Sequence, residues 1–71
     1  MKYSKQRESI LKYLRSTKCH PTAETVYQNI LSENPNISLG TVYRNLTLLT
    51  ELGEISKITD FEGPDRFDGN N

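Results

Sequence analysis

Apolar side chains recur every three or four residues in three stretches of the chain, a spacing that places them on one side of an α-helix. The third stretch shows the pattern most clearly, and its apolar side contains Leu39, Val42, Leu46 and Leu49. Ser38 precedes this stretch as a favourable N-cap, and Gly53 follows it as a residue suited to the left-handed C′ position. The pattern therefore predicts a helix over residues 39–52 with one apolar and one polar side.

Two shorter helices are predicted before this one. The first runs from residue 5 to about residue 16 behind the N-cap candidate Ser4, and the second runs from residue 23 to about residue 32 behind the N-cap candidate Thr22. Their apolar sides contain Ile10, Leu11 and Leu14 in the first helix, and Ala23, Val26, Tyr27 and Ile30 in the second. Pro21 and Pro35 lie in the connectors, where each disfavours a helical conformation of the residue before it.

The pattern changes after the third helix. Residues 54–59 and 66–68 are predicted as strands, joined by a segment rich in turn residues. Ile55 and Ile58 are three apart and cannot share one face of a regular strand, so we expect either a bulge or pairing that starts after Ile55. Three helices followed by a hairpin predict a mainly α fold with a small β-hairpin, the winged helix-turn-helix.

Length and composition limit the possibilities. The 71 residues are enough for one small domain, and no apolar run reaches the roughly 18 residues that span a membrane. The single cysteine, Cys19, cannot form an internal disulfide and is typical of a reducing cytoplasm. The net charge is zero, yet residues 1–20 carry six basic residues and one acidic residue. The basic N-terminal third fits a polyanionic partner such as nucleic acid, whereas the zero net charge of the whole chain does not favour one.

The polar side of the third helix carries side chains that read DNA bases. Thr41, Tyr43, Arg44 and Asn45 offer hydroxyls, an aromatic ring, a guanidinium and an amide near the helix start. Arginine pairs with guanine, asparagine pairs with adenine, and a ring packs on the thymine methyl group. Gly40 costs about 1 kcal/mol relative to alanine in a helix, which is reasonable if a partner approaches its backbone. The alternatives are a solvated helix face or a face that binds another protein.

Four motifs in this order resemble the ferric uptake regulator family, and specifically its peroxide-stress branch. They are Ser4-Lys-Gln-Arg7, His20-Pro-Thr-Ala-Glu24, Ser38-Leu-Gly-Thr-Val-Tyr-Arg-Asn-Leu46 and Arg66-Phe-Asp68. The resemblance implies the DNA-binding half of a metal-dependent transcriptional repressor, with no enzymatic activity, that acts as a homodimer on A/T-rich inverted-repeat operators in double-stranded DNA. It implies these DNA-binding residues: Lys2, Ser38, Gly40, Thr41, Tyr43, Arg44 and Asn45. The resemblance does not include the family's dimerisation half, so the chain is expected to be one domain of a longer protein.

The same resemblance gives His20 and Asp68 a role. By residue type alone, His20 before a proline would be a surface or capping residue, and Asp68 a solvated carboxylate. The resemblance implies that both ligate Fe(II) or Mn(II) in a regulatory site whose remaining ligands lie beyond residue 71, and that structural Zn(II) is held by the other half. No cofactor is expected in these 71 residues by themselves. An iron- or zinc-uptake regulator and a protein-interaction module are the alternative functions.

Overall fold

Three helices and a two-stranded antiparallel sheet follow one another in the order that the sequence predicts. The computed structural model describes residues 5–59 and 62–69, so Lys2 and the proposed cap Ser4 lie outside the described residues. The elements are α1 (Lys5–Ser16), α2 (Ala23–Ile30), α3 (Leu39–Glu51), β1 (Ser56–Ile58) and β2 (Arg66–Asp68). The prediction of a mainly α fold with a β-hairpin, a winged helix-turn-helix, is confirmed.

The second helix is shorter than predicted. It ends at Ile30, whereas the sequence predicted an end near residue 32. The cause is Asn34, whose backbone N–H and side-chain amide both donate to the Ile30 carbonyl oxygen, at 3.0 and 3.1 Å. Asn34 is itself buried, so these bonds turn the chain sharply toward α3.

The predicted caps of α2 and α3 are confirmed. The Thr22 hydroxyl accepts from the Thr25 N–H, and the Ser38 hydroxyl accepts from the Thr41 N–H at 3.1 Å. Gly53 has a φ of 77°, and its N–H donates to the carbonyl oxygen of Thr50. The next N–H, of residue 54, donates to the carbonyl oxygen of residue 49, which completes the paired bonds of a Schellman motif.

The three helices, strand β2 and the segments beside them contribute to one apolar core. Its buried side chains are Ile10, Leu14, Ala23, Val26, Ile30, Ile37, Val42, Leu46, Leu49, Ile55 and Phe67. Ile55 is buried, and strand β1 begins one residue later, at Ser56. Pairing that starts after Ile55 was one of the two predicted arrangements. Because Ile55 precedes the paired residues, its side chain enters the core without following the alternation of β1.

Strand β2 is paired on both of its edges. On one edge it pairs with β1 in the register Ser56↔Asp68, Lys57↔Phe67 and Ile58↔Arg66. On the other edge, Thr22 forms an isolated antiparallel bridge with Arg66, and the Phe67 N–H donates to the Pro21 carbonyl oxygen at 3.0 Å. The connector between α1 and α2 thus lies alongside β2 through one isolated bridge, which the sequence did not predict.

Gly69 lies buried directly against α1 where β2 ends. A Cβ added at this position would stand 2.8 Å from both the carbonyl carbon and the Cβ of Leu14, and 3.0 Å from the backbone nitrogen of Arg15. Only a residue without a side chain allows this approach. No pattern in the sequence indicated a role for Gly69.

Within the described residues, no helix has the length and apolar character needed to cross a membrane.

Replacing Gly69 with alanine should lower the free energy of unfolding by about 1–3 kcal/mol, because the new methyl group would push the chain away from α1. Gly40→Ala is the matched control, since its Cβ would meet only the Ser38 hydroxyl at 3.9 Å. That variant should gain about 0.5–1 kcal/mol from helix propensity. Urea unfolding followed by circular dichroism measures both, and a Gly69→Ala variant as stable as the wild type would contradict the close packing.

Candidate nucleic-acid interface

The N-terminal half of α3 presents an exposed face above a buried one. Tyr43 is 49% exposed and Arg44 is also exposed, whereas Val42 before them and Leu46 after them are fully buried. Gly40 lies on the exposed side one turn earlier. The core therefore fixes the direction in which the ring and the guanidinium project, as the periodicity predicted.

The hydroxyls at the start of α3 are linked to each other. The Ser38 and Thr41 side-chain oxygens lie 2.9 Å apart, and the Ser38 oxygen also accepts from the Thr41 backbone N–H. Ser38 is exposed and Thr41 is half-buried. Ser38 therefore caps the helix. The Ser38 and Thr41 hydroxyls are both at the helix start, where they could also form hydrogen bonds with a ligand.

The structure corrects the expected placement of Asn45. It is only 9% exposed, and its side-chain amide nitrogen donates to the Thr41 carbonyl oxygen at 2.9 Å. Asn45 follows Val42 by three residues and precedes Leu49 by four, so it lies beside the buried stripe and not on the open face. Its assignment as a DNA-binding residue stays a prediction, but reaching a base would require it to leave this bond.

His20 and Asp68 lie close together, although they are 48 positions apart in the sequence. The antiparallel register that pairs Thr22 with Arg66 also places residue 20 across from residue 68. The His20 Nε2 and the Asp68 Oδ2 lie 3.7 Å apart, and their side chains are 50% and 26% exposed. The predicted proximity of these two residues is therefore present in the fold.

Arg66 holds the backbone of this pair in place, and the sequence analysis assigned it no separate role. Its Nη1 donates to the His20 carbonyl oxygen at 2.9 Å, across the same pairing that joins β2 to the connector. The alternation of β2 could have indicated that Arg66 lies near the pair. Arg66 and Asp68 are on the same side of the strand, with the buried Phe67 between them.

The donor set of this pair fits a divalent transition metal. Two ligands held at about 2.1 Å from one ion are themselves about 3.0–3.4 Å apart, so the observed 3.7 Å needs only a small side-chain rotation. An imidazole nitrogen with a carboxylate oxygen suits Fe(II), Mn(II) or Zn(II). Among residues 5–59 and 62–69, no group of three or more His, Cys, Asp and Glu side chains is placed to hold a metal ion. His20 and Asp68 alone are too few donors to hold a metal ion.

The remaining chemistry-bearing groups are placed for other roles. Cys19 is an exposed free thiol, and its neighbour His20 faces Asp68, so no nucleophile and base are brought together. Two exposed ion pairs join separate parts of the chain: Arg15 with Glu54 at 3.0 Å, and Lys57 with Asp65 at 3.2 Å across the hairpin. Exposed pairs of this kind add little stability.

Known proteins are similar to this chain in sequence and in fold. The peroxide-responsive repressor PerR of Staphylococcus aureus is 42% identical over 65 residues, which are 92% of this chain and 44% of that protein. The structure of PerR from Streptococcus pyogenes, a protein of peroxide sensing and gene regulation, superposes with a TM-score of 0.88 at 28% identity, covering 97% of this chain and 48% of that one. The Helicobacter pylori ferric uptake regulator Fur, with three functional metal-binding sites, gives 0.89 at 29% identity, covering 96% and 45%.

The match extends over the whole sequence but over only part of each relative. The chain spans about half the length of the proteins it resembles. Its three helices and hairpin correspond to the winged helix of their DNA-binding part. The sequence model of the ferric uptake regulator family matches residues 1–71. The chain therefore belongs to the ferric uptake regulator family.

Proposed function

We propose that this chain is the DNA-binding domain of a metal-dependent transcriptional repressor, and that α3 enters the major groove. The observation that carries the proposal is the exposed Tyr43 and Arg44 face of a helix whose opposite side is held in the core. The major groove is about 12 Å wide and admits one α-helix with its side chains. The N-terminal half of α3 is the part that carries base-reading groups, as in helix-turn-helix proteins.

Each exposed group on α3 has a task in this arrangement. Arg44 pairs with the O6 and N7 of a guanine, and the Tyr43 ring packs on a thymine methyl group. Gly40 allows the DNA to approach the helix backbone, while Ser38 and Thr41 present hydroxyls near the helix start, where phosphates are favoured. Lys2 is assigned to the minor groove only by resemblance, since it lies outside the described residues.

The repressor acts as a homodimer in this proposal. Two copies place two α3 helices in successive major grooves of an A/T-rich inverted repeat. A single domain binds more weakly, because it lacks the effective concentration that a linked second domain supplies. The dimerisation surface and the Zn(II) that stabilises it are assigned to a part of the protein beyond these residues.

His20 and Asp68 are proposed as two ligands of the regulatory metal. They lie where β2 ends, so further ligands from a following domain would fix the angle between the two domains and with it the spacing of the α3 helices. Bound Fe(II) would supply reactivity toward peroxide. The support for a peroxide signal is the 42% identity to a peroxide-responsive repressor; an iron-responsive function is the second candidate, supported by the likeness to the H. pylori ferric uptake regulator.

Arg44→Ala should weaken binding to a cognate duplex by about 1–3 kcal/mol and relax the preference at one base pair. Fluorescence anisotropy with a set of duplexes that differ at single positions measures this. Arg15→Ala is the control, because Arg15 is exposed and pairs with Glu54 on another surface. A loss that is equal on all duplexes would make Arg44 a phosphate contact, and an unchanged affinity would contradict the proposed use of α3.

Gly40→Ala separates stability from recognition. The variant should fold more stably, as argued above, yet bind the duplex more weakly by about 1–2 kcal/mol, because its new methyl group points to the exposed side where the DNA approaches. The measurements are urea unfolding and duplex titration of the same preparation. Wild-type affinity in a stabilised Gly40→Ala variant would mean that no partner contacts this backbone.

His20→Ala and Asp68→Ala, each made in the full-length protein, should raise the Mn(II) concentration needed for operator binding about a hundredfold or more, because each removes a direct ligand. Cys19→Ala and Asp65→Asn are the controls, since both alter nearby residues outside the pair. Wild-type Mn(II) dependence in both ligand variants would remove the regulatory-site proposal and leave the DNA-binding one intact.

A further inference from the structure

A depression lies between α1 and α3 beside the exposed face of α3. Its volume is about 460 Å³, and it is lined by Arg7, Arg44, Asn45, Thr47, Leu48 and Glu51. All but one of these residues belong to α3; Arg7 alone comes from α1. This α1–α3 depression thus brings two guanidinium-bearing residues, 37 positions apart in sequence, to one concave surface.

Arg7 is held in place by its position on α1. It precedes Ile10 by three residues and Leu14 by seven, so it lies on the side of the helix that faces the core, and it is half-buried. The Nε of Arg7 is buried, so the stem of the side chain is enclosed by protein, and the residue lines the depression. A guanidinium with a fixed stem loses less conformational entropy when it binds a ligand than a free surface lysine does.

The charge along the depression is uneven. Arg44 and Glu51 are seven residues apart on α3, about 10.5 Å along the helix axis. Arg7, Arg44 and Glu51 all line the depression, so its lining carries two positive charges and one negative charge. A phosphate in the depression would be attracted by the two arginines and repelled by Glu51.

We propose that the α1–α3 depression binds one phosphate of the DNA backbone, with Arg7 as its main contact. This inference rests on the proposed function. A helix in the major groove has a sugar–phosphate strand on each flank, and α1 lies on one flank of α3. The planar guanidinium of Arg7 matches two phosphate oxygens, while Arg44 reads a base from the same rim. Arg7 then sets the register of α3 on the duplex and carries no sequence information itself.

The test is the salt dependence of duplex binding by the 71-residue chain, measured by fluorescence anisotropy between about 50 and 200 mM salt. Arg7→Gln should reduce the log–log slope by about 0.9 and the affinity about tenfold, by equal factors on duplexes that differ at one base pair. Arg7→Lys should keep the slope, because it keeps the charge. Lys12→Gln is the matched control, since Lys12 is exposed on α1 and lines a separate depression; it should leave the slope unchanged.

A folded Arg7→Gln variant with the wild-type slope would overturn the inference, and so would one that changes base preference.

Glu51→Gln provides an independent test that does not depend on the half-buried Arg7, because Glu51 is exposed. Removing its charge should raise duplex affinity about two- to threefold, and Glu8→Gln, outside the depression, should not. Equal affinities of Glu51→Gln and wild type would also overturn it. A wild-type chain without salt-dependent duplex binding would contradict the proposed function itself.

Discussion

The burial of one side of α3 is the constraint on which the proposed function depends. Val42 and Leu46 are fully buried and Leu49 is 2% exposed, so α3 cannot rotate about its axis without taking these side chains out of the core. The orientation of Tyr43 and Arg44 follows from that burial. A chain of this size has a small stability margin, and truncating one such leucine costs about 2–5 kcal/mol. The contacts that stabilise the fold therefore also orient the face that is proposed to read DNA.

Strand β2 connects this core to the pair of candidate metal ligands. Phe67 is buried in the core, and its N–H bonds to the Pro21 carbonyl, which brings the connector alongside the strand. His20 and Asp68 meet because of this pairing, and Gly69 then passes against α1 at Leu14. The candidate regulatory pair and α3 are thus joined through one packed core, to which both Phe67 and the buried side of α3 belong.

Local signals predicted much of this structure, and non-local contacts explain what they missed. The caps Thr22 and Ser38 and the turn at Gly53 were predictable because each depends on a few neighbouring residues. The contact between His20 and Asp68 came from family resemblance, since no short-range pattern joins residues so distant in sequence. Asn45 was misplaced because polarity suggested exposure, whereas its position between Val42 and Leu49 and its bond to residue 41 place it inward. No local pattern indicated the role of Gly69 either. A side chain is excluded at this position only because α1 packs against it in the fold.

The most direct test of the account is an NMR titration of the 15N-labelled chain with a duplex that contains an A/T-rich inverted repeat. The account predicts the largest amide shifts in residues 38–45 of α3, with further shifts in α1 around Arg7. Small shifts are expected around His20 and residues 66–69, to which the proposal assigns a metal and not DNA. Shifts centred on His20 and the hairpin, with residues 38–45 unaffected, would contradict the claim that α3 is the DNA-reading helix.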